Sequence, residues 1–236
     1  MASALVAGAA AALLAGCGGF TTSTFEDDAT VTDRVAAVRI DLQAGGVELR
    51  GRAGATSISV HRKIEYRGSR PDGPTFRVDN GVLVLSGCGN NCAAQYTVEA
   101  PAGLAVTGQT AAGALALGQV GAVNVMTSSG DVTVDGTTGT VDVRTSNGTI
   151  TGRGLRGSDL RAETSNGNVD LAPAVPQNVT ASTSNGNITL RVPAAGYQVK
   201  TDTSLGRTDV RIATNPAGPF RIDLSTDNGD IVVQPA

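Results

Sequence analysis

From about Thr110 to the C-terminus, aliphatic and polar residues alternate in a pattern that returns about every twenty residues. Its clearest copies are T-S-N-G-T-I-T-G at Thr145, T-S-N-G-N-V-D-L at Thr164 and T-S-N-G-N-I-T-L at Thr183. Looser copies start at Thr110, Thr127, Thr203 and Thr226, so the steps are 17, 18, 19, 19, 20 and 23 residues. Aliphatic or small residues stand four and two places before each Thr: Val123/Val125, Val141/Val143, Leu160/Ala162, Val179/Ala181, Val199/Thr201 and Ile222/Leu224. The second and fourth places after the Gly repeat this in Val132/Val134, Val169/Leu171, Ile188/Leu190 and Ile231/Val233. Period-two alternation on both sides of a Ser-Asn-Gly break predicts strand, turn, strand, with one face buried.

Copies of one design in one order predict an all-β fold, a right-handed single-stranded parallel β-helix (solenoid) of roughly 17–23 residues per coil. Serial hairpins in a sandwich or barrel are the alternative, because Asn-Gly is also a hairpin signal. The expected turn residues are Gly113, Gly130, Asn147, Gly148, Asn166, Gly167, Asn185, Gly186, Gly206, Asn228 and Gly229. Asn and Gly tolerate positive φ, which is the expected reason for their presence. In register, the aliphatic positions become a continuous interior and the Asn residues a column of amides bonded between coils. Leu205 breaks that column.

Before the repeats the pattern is less regular. Val38, Ile40, Leu42, Val47 and Leu49 share one parity around Gly45-Gly46, and strands are expected at 57–66, 75–78, 82–85 and 95–100. Pro and Gly make 67–74 a loop. A solenoid has to hide its first apolar end, so 35–105 is assigned to irregular capping coils and 106–236 to regular repeats of one domain, 35–236.

Composition fits this. Aromatics are 3% and Trp is absent, which suits a narrow interior. The net charge is −3 and the basic residues are scattered among strands, so nothing resembles a nucleic-acid patch.

Residues 1–16 carry an apolar run that ends in L-A-G-C at Cys17. The run is too short to span a bilayer comfortably. Small residues before a Cys at the end of such a run resemble the bacterial lipoprotein cleavage box, with Cys17 as the lipidated residue. No Lys or Arg precedes the run, although a positive n-region is expected. A plain secretory signal and a buried helix are the alternatives. Polar residues 17–34 are expected to form a flexible tether reaching about 60 Å, with Phe20 and Phe25 free to dock on membrane or domain. The remaining cysteines, Cys88 and Cys92, are expected to pair as a disulfide in an oxidising envelope. A metal site would need more ligands than these and the lone His61.

The opening I-D-L-Q-A-G-G-V-E-L, the middle Y-T-V-E-A-P and the repeated T-S-N-G-x-[VI]-x-[VL] together resemble the bacterial β-strand-repeat family known as "putative adhesin", a domain of unknown function. The resemblance spans about Val35 to Val233. It implies a right-handed β-helix on the cell envelope and carries over no catalytic residues.

Parallel β-helices include polysaccharide lyases, which use a carboxylate-bound Ca²⁺ and a basic residue. Here Asp131, Asp142, Asp170, Asp209 and Asp230, with Arg144, Arg161, Arg191, Arg207 and Arg211, are expected on outward positions, as a solvated face requires. The calcium-binding nonapeptide is missing, and His61 has no nucleophile motif near it. The expectation is therefore a non-catalytic, exported lipoprotein without cofactor or metal. It would be lipid-anchored to the cell membrane on its extracytoplasmic side and present the solenoid for adhesion to an envelope protein or glycan. An accessory or sensory role in envelope-stress signalling is the alternative, and a polysaccharide-active enzyme is a third reading.

Overall fold

A computed structural model describes residues 22–236. The T-S-N-G copies are coils, each made of two strands that lie in opposite sheets. The regular coils are β8 (Ala105–Ala112) with β9 (Leu115–Gly118), β10 (Val123–Ser129) with β11 (Val132–Asp135), and β12 (Val141–Asn147) with β13 (Ile150–Leu155). Next come β14 (Asp159–Asn166) with β15 (Val169–Pro173), and β16 (Asn178–Asn185) with β17 (Ile188–Val192). The last two coils are β18 (Tyr197–Leu205) with β19 (Thr208–Val210), and β20 (Phe220–Asn228) with β21 (Ile231–Pro235). Successive copies pair parallel and in register, Val125 with Val143 and Val143 with Ala162. The hairpin alternative is thereby set aside for the repeats, and the architecture is a β-solenoid.

The first strands are β1 (Thr22–Val31), β2 (Ala37–Ala44), β3 (Val47–Arg52), β4 (Ile58–Arg67), β5 (Phe76–Asp79), β6 (Val82–Ser86) and β7 (Cys92–Pro101). β2/β3 and β6/β7 are coils of the same kind, while β4 pairs antiparallel with both β1 and β7, and β5 pairs antiparallel with β6. One sheet has eleven strands in the order β1-β4-β7-β3-β9-β11-β13-β15-β17-β21-β19. The other has ten, β5-β6-β2-β8-β10-β12-β14-β16-β20-β18.

These orders differ from the chain at both ends. The coil β6/β7 lies outside β2/β3, although it comes later in sequence. At the far end the last coil, β20/β21, is inserted between β16/β17 and β18/β19. A second correction concerns 17–34, expected as a flexible tether. Within it, residues 22–31 form β1, paired with β4 along its whole length. Phe25 is not free to dock, because its ring packs against the core. Phe20 lies outside the described residues.

One apolar cluster runs from Val31 to Val233. Aliphatic residues fill two rows on each sheet. At Gly152, where other coils carry Val or Leu, a register shift between Arg153 and Leu155 brings the Leu155 side chain into the space. The expectation that a narrow interior excludes rings fails at its ends. Tyr96 in β7 and Tyr197 in β18 are the largest fully buried side chains. Tyr197 stands in the outermost coil, and Tyr96 stands in the first coil, beside the antiparallel strand β4 and not a further regular coil.

The N-terminal end holds a buried polar group of residues. Arg62 stands between Val60 and Ile64 on the inward parity of β4 and is 7% exposed. It donates to both carboxylate oxygens of Asp27 and, at 2.8 Å, to Thr75 Oγ1. Its guanidinium lies 4.9 Å from the Phe25 ring centroid and 5.9 Å from that of Phe76. The Tyr96 hydroxyl is 2.7 Å from the Thr75 carbonyl oxygen and 2.8 Å from that of Ser86. Burial pushes the Tyr96 phenol up to about 12. Below pH 10 both folded and unfolded chains keep the proton. Above it only the unfolded chain loses it, so stability of about 2–3 kcal/mol is lost between pH 10 and 12. Urea midpoints measured across that window will fall in the wild-type chain and fall less in Tyr96→Phe.

Candidate functional site: turn ladders and the outward face

The repeated phrase is a set of bonds between coils. Each Thr except the half-buried Thr203 is buried, and each donates its hydroxyl to the carbonyl of the Gly in the neighbouring coil: Thr127 to Gly113 at 3.1 Å, and Thr145 to Gly130, Thr164 to Gly148 and Thr183 to Gly167, each at 3.0 Å. Thr226 continues to Gly186 and Thr203 to Gly229, which follows the swapped coil order. The Asn side chains form the expected amide column. Asn166 Nδ2 donates to Asn147 Oδ1 at 3.0 Å, Asn185 to Asn166 at 3.1 Å and Asn228 to Asn185 at 3.0 Å.

The glycines are required for the expected reason and for a second one: Gly113, Gly130, Gly167, Gly186 and Gly229 have φ between 151° and 158°, which residues with a Cβ rarely adopt. Asn147, Asn166, Asn185 and Asn228 have ordinary negative φ. The chain turns at glycines that touch one another: a Cβ on Gly148, Gly167, Gly186 or Gly229 would lie 2.0 Å from the carbonyl oxygen of the Gly stacked beneath it. At Gly148, which is not among the positive-φ glycines, close approach of backbone to backbone alone decides the residue.

A second ladder was not anticipated. Asp131 Oδ1 accepts from Thr149 N, Asn168 Oδ1 from Asn187 N, Asn187 Oδ1 from Asp230 N and Asp230 Oδ1 from Arg207 N, each at 2.8 Å. Asp131 and Asp230, expected on an outward face, are thus turn residues. The signal for this ladder was the Asp or Asn that follows the Gly in four copies.

The amide column stops at Leu205, which pairs with Asn228 and is 71% exposed. Leu205→Asn adds one amide bond to Asn228 Oδ1 and removes an exposed apolar side chain. Thermal melting will show a stabilisation of about 1 kcal/mol.

The remaining outward residues form ion pairs. On the ten-stranded sheet Arg144 bridges Asp142 at 2.8 Å and Glu163 at 2.9 Å, and Arg161 also reaches Glu163. On the eleven-stranded sheet Arg153 and Arg191 share Asp170, at 3.0 and 2.6 Å. Arg211 pairs with Asp209 and holds its carboxyl below the ordinary range. Arg207, expected outward, is exposed beside the turn that Asp230 closes. Exposed pairs of this kind contribute little to stability each.

One register position draws a continuous polar row along the ten-stranded sheet: Arg39, Thr107, Asn124, Asp142, Arg161, Thr180, Asp223 and Lys200. Neighbours in such a row are about 4.8 Å apart. A shallow groove follows its middle, with Thr107, Asn124, Asp142, Arg161 and Thr180 on the floor and Asp159 and Asn178 on the flank. Asn178 donates to Asp159 at 3.0 Å and lowers its carboxyl below the ordinary range. Asp142 lines this groove, and its Oδ1 is enclosed and without a hydrogen-bond partner.

Of the other expected residues, Cys88 and Cys92 form a disulfide. Cys17 lies outside the described residues. His61 sits on β4 with Nδ1 2.8 Å from Asp28 on β1, in a pair that ties the edge strand down.

Among solved structures, the fold is similar to a "putative adhesin" from Bacteroides fragilis NCTC 9343, at 14% identity over 91% of this chain and 97% of that one, with a TM-score of 0.46. A "putative adhesin" from Parabacteroides distasonis ATCC 8503 shares 12% identity over 89% and 97%, with a TM-score of 0.47. A "putative cell adhesion protein" from Clostridium sporogenes ATCC 15579 shares 12% identity over 91% and 100%, with a TM-score of 0.40. No curated protein matches. Residues 104–234, which carry the stacked threonines, amides and glycines, match the family described as Toastrack DUF4097, and the chain belongs to that family.

Proposed function

We propose that the protein is an exported lipoprotein, acylated at Cys17 on the extracytoplasmic side of the cell membrane, whose solenoid is a non-catalytic surface for adhesion to an envelope glycan or protein. The coils are read as right-handed, the sense that strand–crossover–parallel strand connections strongly favour. The observation that carries the binding role is the polar row from Arg39 to Lys200. It offers acceptors and donors at about one coil spacing, and a ligand lying along the solenoid axis meets several of them at once. Hydroxyl-rich chains suit carboxylate, amide and guanidinium partners of this kind.

The test is a glycan array probed with the Cys17→Ser chain. Retained glycans that are lost on Asp142→Ala and on Arg161→Ala support this reading. No retained glycan, together with loss of an envelope-stress response on deletion of the gene, favours an accessory role in signalling instead.

A further inference from the structure

The strand β1 changes what an anchor at Cys17 would do. With 17–34 as a free tether the domain could swing; with β1 starting at Thr22, only residues 18–21 separate the acylated residue from the sheet. Five Cα steps reach at most about 18 Å. The anchored corner is also braced. Thr22 pairs with Arg67 at the end of β4, and Arg67 N donates to Asn91 O at 3.0 Å. Cys92 pairs with Tyr66 and is tied by its disulfide to Cys88. The Arg70 guanidinium lies 3.8 Å from the Phe25 ring centroid, across the loop that follows β4. Arg67 and Arg70 are exposed, as are the acidic Glu26 and Asp28 of β1, Glu65, which pairs with Lys63 at 3.1 Å, and Asp72.

We infer that the β1/β4 end of the solenoid, with the loop 68–74 and the disulfide loop, rests on the phosphate headgroups of the bilayer, and that the β18/β19 end points away from it. Resting on the acyl anchor proposed above, this orientation stands the molecule on its end. Eleven strands at about 4.8 Å spacing make a face about 48 Å long. The polar row from Arg39 to Lys200 then runs outward from the membrane, with its Lys200 end distal. Arg67 and Arg70 supply the contacts to phosphate and favour an anionic lipid over a zwitterionic one.

The experiment uses the acylated protein in vesicles of phosphatidylcholine, with and without phosphatidylglycerol. A fluorophore is placed on Ser69→Cys or on Leu205→Cys, and a quencher is attached to the lipid headgroups. The Ser69 label will be quenched several-fold more than the Leu205 label. Inserting about twenty Gly/Ser residues after Gly19 will remove the difference, because a flexible linker of that length frees the domain. The double variant Arg67→Glu/Arg70→Glu will lose the part that depends on phosphatidylglycerol. Equal quenching of the two labels, or stronger quenching at Leu205, overturns the orientation while leaving the anchor intact. Absence of an acyl mass on Cys17 overturns the anchoring reading itself, so the two failures are distinguishable.

Discussion

Gly167→Val will abolish cooperative folding of the central coils, whereas Asn168→Val will lower stability by only about 1 kcal/mol. The two positions are adjacent in one turn, and the same side chain is added to both. At Gly167 the new Cβ would sit 2.0 Å from the Gly148 carbonyl oxygen and 2.6 Å from its carbon. No rotamer relieves this, because both atoms are backbone. Relief requires the coils to part, which breaks the bonds from Gly148 N to Asn166 O, from Thr164 Oγ1 to Gly148 O and from Asn166 to Asn147. The cost exceeds about 4 kcal/mol, the range reserved for such backbone conflicts. At Asn168 the loss is one side-chain acceptor for Asn187 N, at a turn that water reaches. Circular dichroism melts of the two variants against wild type make the measurement. Equal losses would show that the glycines are not in contact.

The pairing of the repeats was legible because it needs only period two and a fixed turn. Val123, Val141 and Leu160 lie in one row because the phrase repeats in register, and nothing distant has to be known. The disulfide was legible for a similar local reason. The positive φ of Gly113, Gly130, Gly167, Gly186 and Gly229 was legible, but their stacking was not, since a tolerated φ is a property of one residue and a stacked contact is a property of two coils. The buried guanidinium was legible and overlooked. In I-S-V-H-R-K-I the parity that buries Ile58, Val60 and Ile64 also carries Arg62. Its partners Asp27 and Thr75 come from other strands, which periodicity does not join. β1 was hidden for the same reason. Its acidic run from Glu26 to Asp28 reads as solvated chain until β4 supplies Arg62 and His61 opposite it.

Coil order at the C-terminus was not legible, because the phrase at Thr203 and the phrase at Thr226 fit either place in the stack. The swap has a physical rationale in composition. The outer coil presents Thr201 and Thr208 where the inner one presents Leu224 and Ile231. A coil with one open side loses less by carrying polar residues, so the more apolar copy lies inside.

This order can be tested by removing one coil or the other. A chain ending at Ala217 lacks β20 and β21, and with them Ile222, Leu224, Ile231 and Val233, all within 1% of full burial. At about 1.5–3 kcal/mol for each buried aliphatic, the loss rivals the whole stability of a domain. It also leaves β16/β17 and β18/β19 facing a gap, since each touches the missing coil. Joining Ala195 directly to Pro219 deletes the outer coil instead. The link between Val192 and Phe220 is then four residues, the same as the 174–177 link that joins β15 to β16. Hydrogen exchange will show β16 and β17 exposed in the truncated chain and protected in the internally deleted one. Stacking in chain order demands the opposite, because the final coil would then be the outermost and its loss the milder of the two.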